Sequence, residues 1–398
     1  MFYSDWLYWL FIAFVCSSYY LLPGKIRPLL IVAAGANFYG YYAGPLLMLL
    51  ITEACLIGWA AAFISRRTKR WFFAGVIAGA ALVLIYYKYN ELLLQPVLNL
   101  FSFFNKPYLP RADQVVLPLG ISYFTFELIH YLVEKKKENL PEHRFTDFLA
   151  FVFFFPTLFA GPIKQFEKYF PQLRSRFEWA NMRSGLVLIA TGLFKKLVLA
   201  GTLDILAQPL YAKEGMAAEQ TLMLWAALVA YTFVIYFDFS GYSDIAIGTA
   251  RLFGIVLPPN FRNPYLSRNI AEFWNRWHVS LGAWLTKYIY FPLGGSRLAE
   301  HRTYINLMLT MTVSGLWHGA AWHFVVWGMF HGAMLCIYRF YVKRLKGRSS
   351  IPFLSPAFTA LAVVFTFFCV TISRIFFVMP ISEGWKFSLK LLGLENSI

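Results

Sequence analysis

The chain has 398 residues, of which 59% are hydrophobic, 20% aromatic and only 14% charged, and its 36 Lys and Arg against 20 Asp and Glu leave a net charge of +16. Soluble domains are nearer half apolar and a quarter charged, and disordered chains lack aromatics, so a soluble multidomain enzyme and intrinsic disorder are both excluded. Many apolar runs approach the roughly 20 residues that cross a bilayer, and the alternation of an outer-membrane barrel is absent, so the chain reads as an all-α, multi-pass membrane protein forming one membrane-embedded domain over residues 1–398.

Apolar runs at 5–22, 28–44, 46–64 and 71–87 predict the first four spans. The first lacks a basic leader and a small-residue cleavage site, and reads as retained. Lys25 and Arg27 follow it, and Arg66, Arg67, Lys69 and Arg70 follow the third run. Lys and Arg collect on the cytoplasmic side, which places the N-terminus and the Gly44-Pro45 turn outside. The mixed segment 88–116 predicts an interfacial helix and loop, also outside. A span is expected at 117–133, followed by the basic stretch Glu134–Arg144 inside. Residues 145–162 contain Pro156 and end in Ala160-Gly161-Pro162, and the next basic stretch, Lys164 to Arg183, also belongs inside. A re-entrant hairpin satisfies both facts, since broken backbone is tolerated at that depth when it is buried in protein or lines a cavity. Further segments at 184–210, 221–237, 242–256, 303–317, 321–342 and 357–379 bring the total to about eleven. Lys343, Arg344, Lys346 and Arg348 form the last basic block. The positive charge therefore serves topology, and nucleic acid is not expected as a partner, because no basic domain lies outside the apolar runs. Cys16, Cys55, Cys336 and Cys369 sit inside apolar runs without metal spacing, so no metal is expected.

Polar groups inside membrane segments mark candidate sites. The stretch Phe237–Asp244 carries Asp238, Ser240, Tyr242, Ser243 and Asp244 between apolar flanks; it reads as a polar knot bonding a helix break, with substrate binding or catalysis as alternatives. Residues 272–290, read as one amphipathic helix, place Glu272 and Arg276 four apart, where they can pair, with Ser280 and Lys287 extending the stripe. His278 falls on the opposite face with Trp274, Leu281, Gly282 and Leu285, either as a core histidine or as a functional one. In Ser314–His323, small residues surround His318; they allow close helix packing or leave room for substrate. His318 and His323 are five apart and do not share a face as a zinc pair would. His331, further along, reads as a hydrogen bond between helices. Glu127 and His130 are three apart and can pair in a cavity-lining element.

The motifs FDFSGYSDIAIG, PPNFRNPYLSRNIAEFWNRWHVSLGAWL, YIYFPLGGSR and SGLWHGAAWHFVVWG, with LPLGISYFTFE and FFFPTLFAGPI earlier, resemble the membrane-bound O-acyltransferase superfamily. The bacterial branch fits best: it acetylates alginate, cellulose and peptidoglycan and transfers D-alanine to teichoic acids. The resemblance covers residues 1 to about 380 with the motifs in order. It implies that the WHG histidine, here His318, is catalytic and that the RWH histidine, here His278, is a second functional residue. Asp238, Ser240, Tyr242, Asp244, Asn275, Arg276, Trp317 and Trp322 are the expected supporting residues. The resemblance also implies a bowl of helices around a funnel or tunnel, in the bacterial cytoplasmic membrane. No bound cofactor is implied; the co-substrate is a thioester, acyl-CoA or an acyl carrier protein. The implied partners are membrane lipid, a cytoplasmic acyl carrier protein and an extracytoplasmic acyl-accepting protein. Acetyl transfer to an exported polysaccharide or cell-wall glycan is the expected reaction, with D-alanylation as its near alternative. A transporter without covalent chemistry would also keep intramembrane Asp and His, but the paired repeats of many transporters are absent.

Overall fold

The computed structural model describes residues 2–103, 117–211, 220–345 and 356–394. Among them the regular elements are helices, with no strand. In order these are α1 (Trp6–Leu21), α2 (Arg27–Ala43), α3 (Leu47–Ala62), α4 (Arg70–Phe103), α5 (Ile121–Lys136), α6 (Phe145–Val152), α7 (Phe166–Tyr169), α8 (Trp179–Leu193), a π-helical stretch (Phe194–Ala200) and α9 (Gly201–Ala207). There follow α10 (Thr221–Leu252), α11 (Ile270–Arg276), α12 (Val279–Leu285), a second π stretch (Thr286–Tyr290), α13 (Glu300–His318), α14 (Trp322–Leu345), α15 (Pro356–Ser373), α16 (Ile375–Val378) and α17 (Ile381–Leu391). Six segments are long and apolar enough to cross a membrane: Arg27–Ala62, Arg70–Asn90, Trp179–Leu210, Thr221–Leu252, Trp322–Arg344 and Pro356–Val378, beside shorter apolar helices at Trp6–Leu21 and Phe145–Thr157. Large apolar side chains such as Phe14, Trp59, Leu361 and Phe365 are more than half exposed along these helices. Lipid solvates such a surface and water does not, so the chain is a multi-pass membrane protein.

The helices gather into two compact units, one of residues 1–191 and 242–258, the other of 192–241 and 259–398. In the first unit the segment after α5 is broken as expected. Helix α6 stops at Val152, a 3-10 turn spans Phe155–Thr157, and the backbone from 153 to 163 is almost wholly buried in protein. Lys164 anchors it: its ammonium meets both Glu127 oxygens at 2.7 and 2.8 Å and Thr157 Oγ1 at 3.0 Å. Glu127 pairs first with Lys164, while His130, close enough to act on Glu127 through its charge, uses Nε2 to accept the Phe166 N–H at 2.9 Å and faces Glu167. A fully buried ammonium requires such a partner set, and sequence spacing shows only near neighbours.

Two expected breaks are absent. Helix α4 runs on through residues 88–103 in place of a separate interfacial helix, and residues 104–116, where the expected loop falls, lie outside the described residues with Lys346 and Arg348. Helix α10 is continuous through Phe237–Asp244, so Asp238 and Asp244 bond no helix break. Asp238 instead pairs with Lys196 of the first π stretch. Gly241 keeps the same helix flush against its neighbour: a Cβ there would lie 2.7 Å from the Gly192 carbonyl oxygen. A polar run thus stays helical because a cation and a close helix contact, both remote in sequence, accommodate it.

Candidate active site

The second unit holds His278, His318 and His331, each placed by a different local device. The expected helix over 272–290 is broken at Trp277-His278, which overturns the face assignment based on a single helix. The cause is Asn260. Its carbonyl oxygen accepts the Val279 N–H at 2.9 Å, and its Oδ1 accepts the Ser280 N–H at 3.1 Å and the Ser280 hydroxyl at 2.9 Å. These bonds satisfy the free donors of a new helix N-terminus, so α12 starts afresh. Ser280 thereby leaves the polar stripe, and the Lys287 ammonium lies over the Tyr288 ring. The Glu272–Arg276 pair forms as the spacing requires, at 2.5 Å.

At the junction His278 adopts φ 44°, ψ 53°, the left-handed region that β-carbon-bearing residues avoid. Such strain persists only where surrounding structure enforces it, and it gathers at functional sites. The ring is 1% exposed, against Phe239 at 4.7 Å and Trp317 at 5.6 Å between centroids. Among the described residues neither ring nitrogen has a hydrogen-bond partner. Burial without an acid beside it pushes this imidazole down to about 3, so it is neutral at ordinary pH.

His318 closes α13, and its half-buried ring is walled edge-on by Trp317 at 5.0 Å, Trp327 at 5.1 Å and Phe377 at 5.1 Å. The hairpin of α13 and α14 sets that geometry. A Cβ on Gly315 would lie 2.1 Å from the Phe324 carbonyl oxygen, so only glycine permits this approach. His331 of α14 bonds Ser373 of α15 at 3.0 Å, the interhelical bond its position suggests. Ser373 donates its own proton to the Val370 carbonyl at 2.6 Å, so His331 Nε2 carries hydrogen and Nδ1 is the bare, unpartnered nitrogen.

Several buried polar atoms of this unit lack hydrogen-bond partners among the described residues: both His278 nitrogens, His331 Nδ1, and the hydroxyls of Ser314 and Ser240. Buried polar groups are nearly always bonded, so the open nitrogens of His278 and His331 can each receive a polar ligand. A cleft of about 590 Å³ opens alongside, lined by Trp274, Asn275, Lys287, Tyr290 and Thr310. Trp274 forms part of its wall and also packs on Trp327 at 5.8 Å and His331 at 5.1 Å, although none of the three histidines lines the cleft itself.

A sequence profile of the membrane-bound O-acyltransferase family matches residues 39–381. The chain is 35% identical over 387 residues to a probable alginate O-acetylase of Pseudomonas aeruginosa, covering 95% of this chain and 72% of that one. The chain belongs to the membrane-bound O-acyltransferase family. It is also 33% identical to a peptidoglycan O-acetyltransferase of Helicobacter pylori, over 82% of this chain and 66% of the relative. A teichoic acid D-alanyltransferase of Bacillus subtilis is 28% identical over 81% of each chain.

The remaining expected residues of this acyltransferase fall in several places. Trp317 is buried between the two histidines, Asn275 is exposed at the cleft, and Arg276 is held by Glu272. Trp322, at the start of α14, is 64% exposed and lies on the surface. Tyr242 and Asp244 belong to the first unit, where Tyr242 meets Tyr3 edge-on at 5.2 Å. One residue escaped the sequence reading. Arg374 lies inside the apolar run 357–379, and its guanidinium sits 4.7 Å over Trp277 and 5.6 Å from Phe377. The signal was available, since an arginine in such a run is itself a polar residue inside a membrane segment.

Proposed function

We propose that this acyltransferase moves an acetyl group from a cytoplasmic thioester, acetyl-CoA or an acyl carrier protein, to a hydroxyl of an exported polysaccharide or cell-wall glycan, with His318 as general base. The observation that carries the reading is the position of His318. It combines a half-buried imidazole at the carboxyl end of a 19-residue helix with three aromatic walls. A hydroxyl is a weak nucleophile until a neutral imidazole takes its proton. The helix end carries partial negative charge, which favours the imidazolium as it forms. In the reaction the acceptor oxygen bonds to the thioester carbonyl carbon, and His318 takes the hydroxyl proton. The carbon–sulfur bond then breaks, and the thiolate leaves with that proton. His278, neutral and rigidly held, orients donor or acceptor. Asn275 and Lys287 stand where a donor lying in the cleft would meet them.

The relatives named for alginate, peptidoglycan and teichoic acid support an extracytoplasmic glycan as final acceptor. Residence in the bacterial cytoplasmic membrane with the N-terminus outside, and delivery through an extracytoplasmic acyl-accepting protein, complete the proposal. His318→Ala in purified, folded protein is expected to lower acyl transfer by roughly 10²–10⁴-fold, the usual worth of a general base. Undiminished turnover would remove His318 from the reaction.

A further inference from the structure

We propose that Arg374 selects the acyl group, favouring an uncharged acyl such as acetyl over an aminoacyl such as D-alanyl; this rests on acyl transfer at His318. Arg374 is 1% exposed inside the apolar segment Pro356–Val378. A guanidinium does not lose its proton in a protein, so the charge is permanent. Among the described residues no carboxylate pairs with it. In its unit Asp238 is held by Lys196, Glu272 by Arg276 and Arg268, and Glu300 by Lys343, while Asp204 bonds Gln208 and Tyr211 and Glu383, on the neighbouring helix α17, is engaged with another group. Its neighbours include the Trp277 and Phe377 rings, the Tyr265 and Tyr231 phenols and the His331 imidazole, and Nε has no hydrogen-bond partner among the described residues. Tyr265 donates its proton to the Thr232 carbonyl at 2.7 Å, so what it turns to the cation is a neutral oxygen. Stacking on Trp277 offsets part of the cost of burial without cancelling the charge.

An uncompensated buried charge acts on whatever binds nearby. The His318 ring and the guanidinium both pack on Phe377, at 5.1 and 5.6 Å. They are therefore within about 11 Å of each other, where two unit charges at an effective dielectric of about 20 still alter an equilibrium roughly tenfold. An aminoacyl thioester brings an ammonium to that position; an acetyl thioester brings none. The aromatic walls of His318 offer no carboxylate to receive an ammonium. The same cation favours the oxyanion that forms on the thioester carbonyl and disfavours the imidazolium that forms at His318, whichever acyl group is carried. Its loss thus changes the rate with every donor alike, and only the ratio between donors reports selection.

The test uses membranes containing the full chain and their own glycan, at about pH 6, where an α-amino group is protonated. They receive radiolabelled acetyl, D-lactyl and D-alanyl groups as thioesters of coenzyme A and of an acyl carrier protein, and label in the polymer is counted. D-Lactyl matches D-alanyl in size but carries a hydroxyl in place of the ammonium. Wild type is expected to incorporate D-lactyl at least about tenfold faster than D-alanyl. Arg374→Gln should bring that ratio towards one, and Arg374→Lys should keep it. Equal use of D-lactyl and D-alanyl by wild type would overturn the proposal even if the variants failed to fold, as would an unchanged ratio in Arg374→Gln. No incorporation of any acyl group by wild type would instead bring down the acyl-transfer reading itself.

Discussion

The His278 imidazole meets the Trp317 indole edge-on at 5.6 Å, and the same indole flanks His318 at 5.0 Å. Two histidines forty residues apart in sequence thus share one aromatic wall. Removing it leaves both rings free to turn, and small misplacements of reacting groups are costly in rate. Trp317→Ala is expected to lower acyl-transfer turnover by roughly 10- to 100-fold, while Trp317→Phe stays within a few-fold. Turnover measured beside the thermal midpoint checks this, since a loss that followed unfolding alone would deny the indole a positioning role.

Gly315 gives a steric prediction. A methyl group there meets the Phe324 carbonyl at 2.1 Å and Gly328 at 3.1 Å, both of them backbone that cannot step aside. Gly315→Ala must separate α13 from α14 and carry His318 with it. Overpacking of this kind typically costs about 1–3 kcal/mol and sometimes more. A lowered thermal midpoint together with lost activity is expected; a native midpoint would show that the hairpin is looser than its contacts imply.

These positions show what could be read from the chain. The helical class, the Glu272–Arg276 pair and the interest of His278 and His318 depend on composition, local spacing and long motifs, which sequence displays directly. The break before Val279 depends on Asn260, 19 residues away, and the unbroken α10 depends on Lys196, 42 residues from Asp238. Such partners become neighbours only through the fold. Arg374 is different: its place in an apolar run was visible, but its lack of a carboxylate partner among the described residues and its seat on Trp277 were not.

The Lys164–Glu127 pair is 0% and 3% exposed at its two side chains, so removing one partner strands a buried charge. Lys164→Met is expected to destabilise the first unit by about 3–5 kcal/mol. The double variant Glu127→Gln, Lys164→Met removes both charges and should recover much of that loss. A double-mutant cycle on the thermal midpoint reads the coupling. Additive losses would mean that the two groups do not depend on each other.

His278 links stability to pH. Its folded pKa lies near 3, below the ordinary 6.5. Between those values the unfolded chain binds a proton that the folded chain refuses, so stability falls as pH drops through that window, by up to about 1.4 kcal/mol per pH unit. His278→Asn removes the titration and suits the left-handed backbone at this position, which asparagine tolerates better than most residues. Between about pH 6.5 and 4.5 the wild-type thermal midpoint should therefore fall more steeply than that of His278→Asn. The acid limb of the rate profile should keep its position in the variant, because a group already neutral throughout that range cannot set it. Parallel stability curves would mean that His278 takes up a proton freely in the folded protein, and its role as a neutral orienting group would be lost.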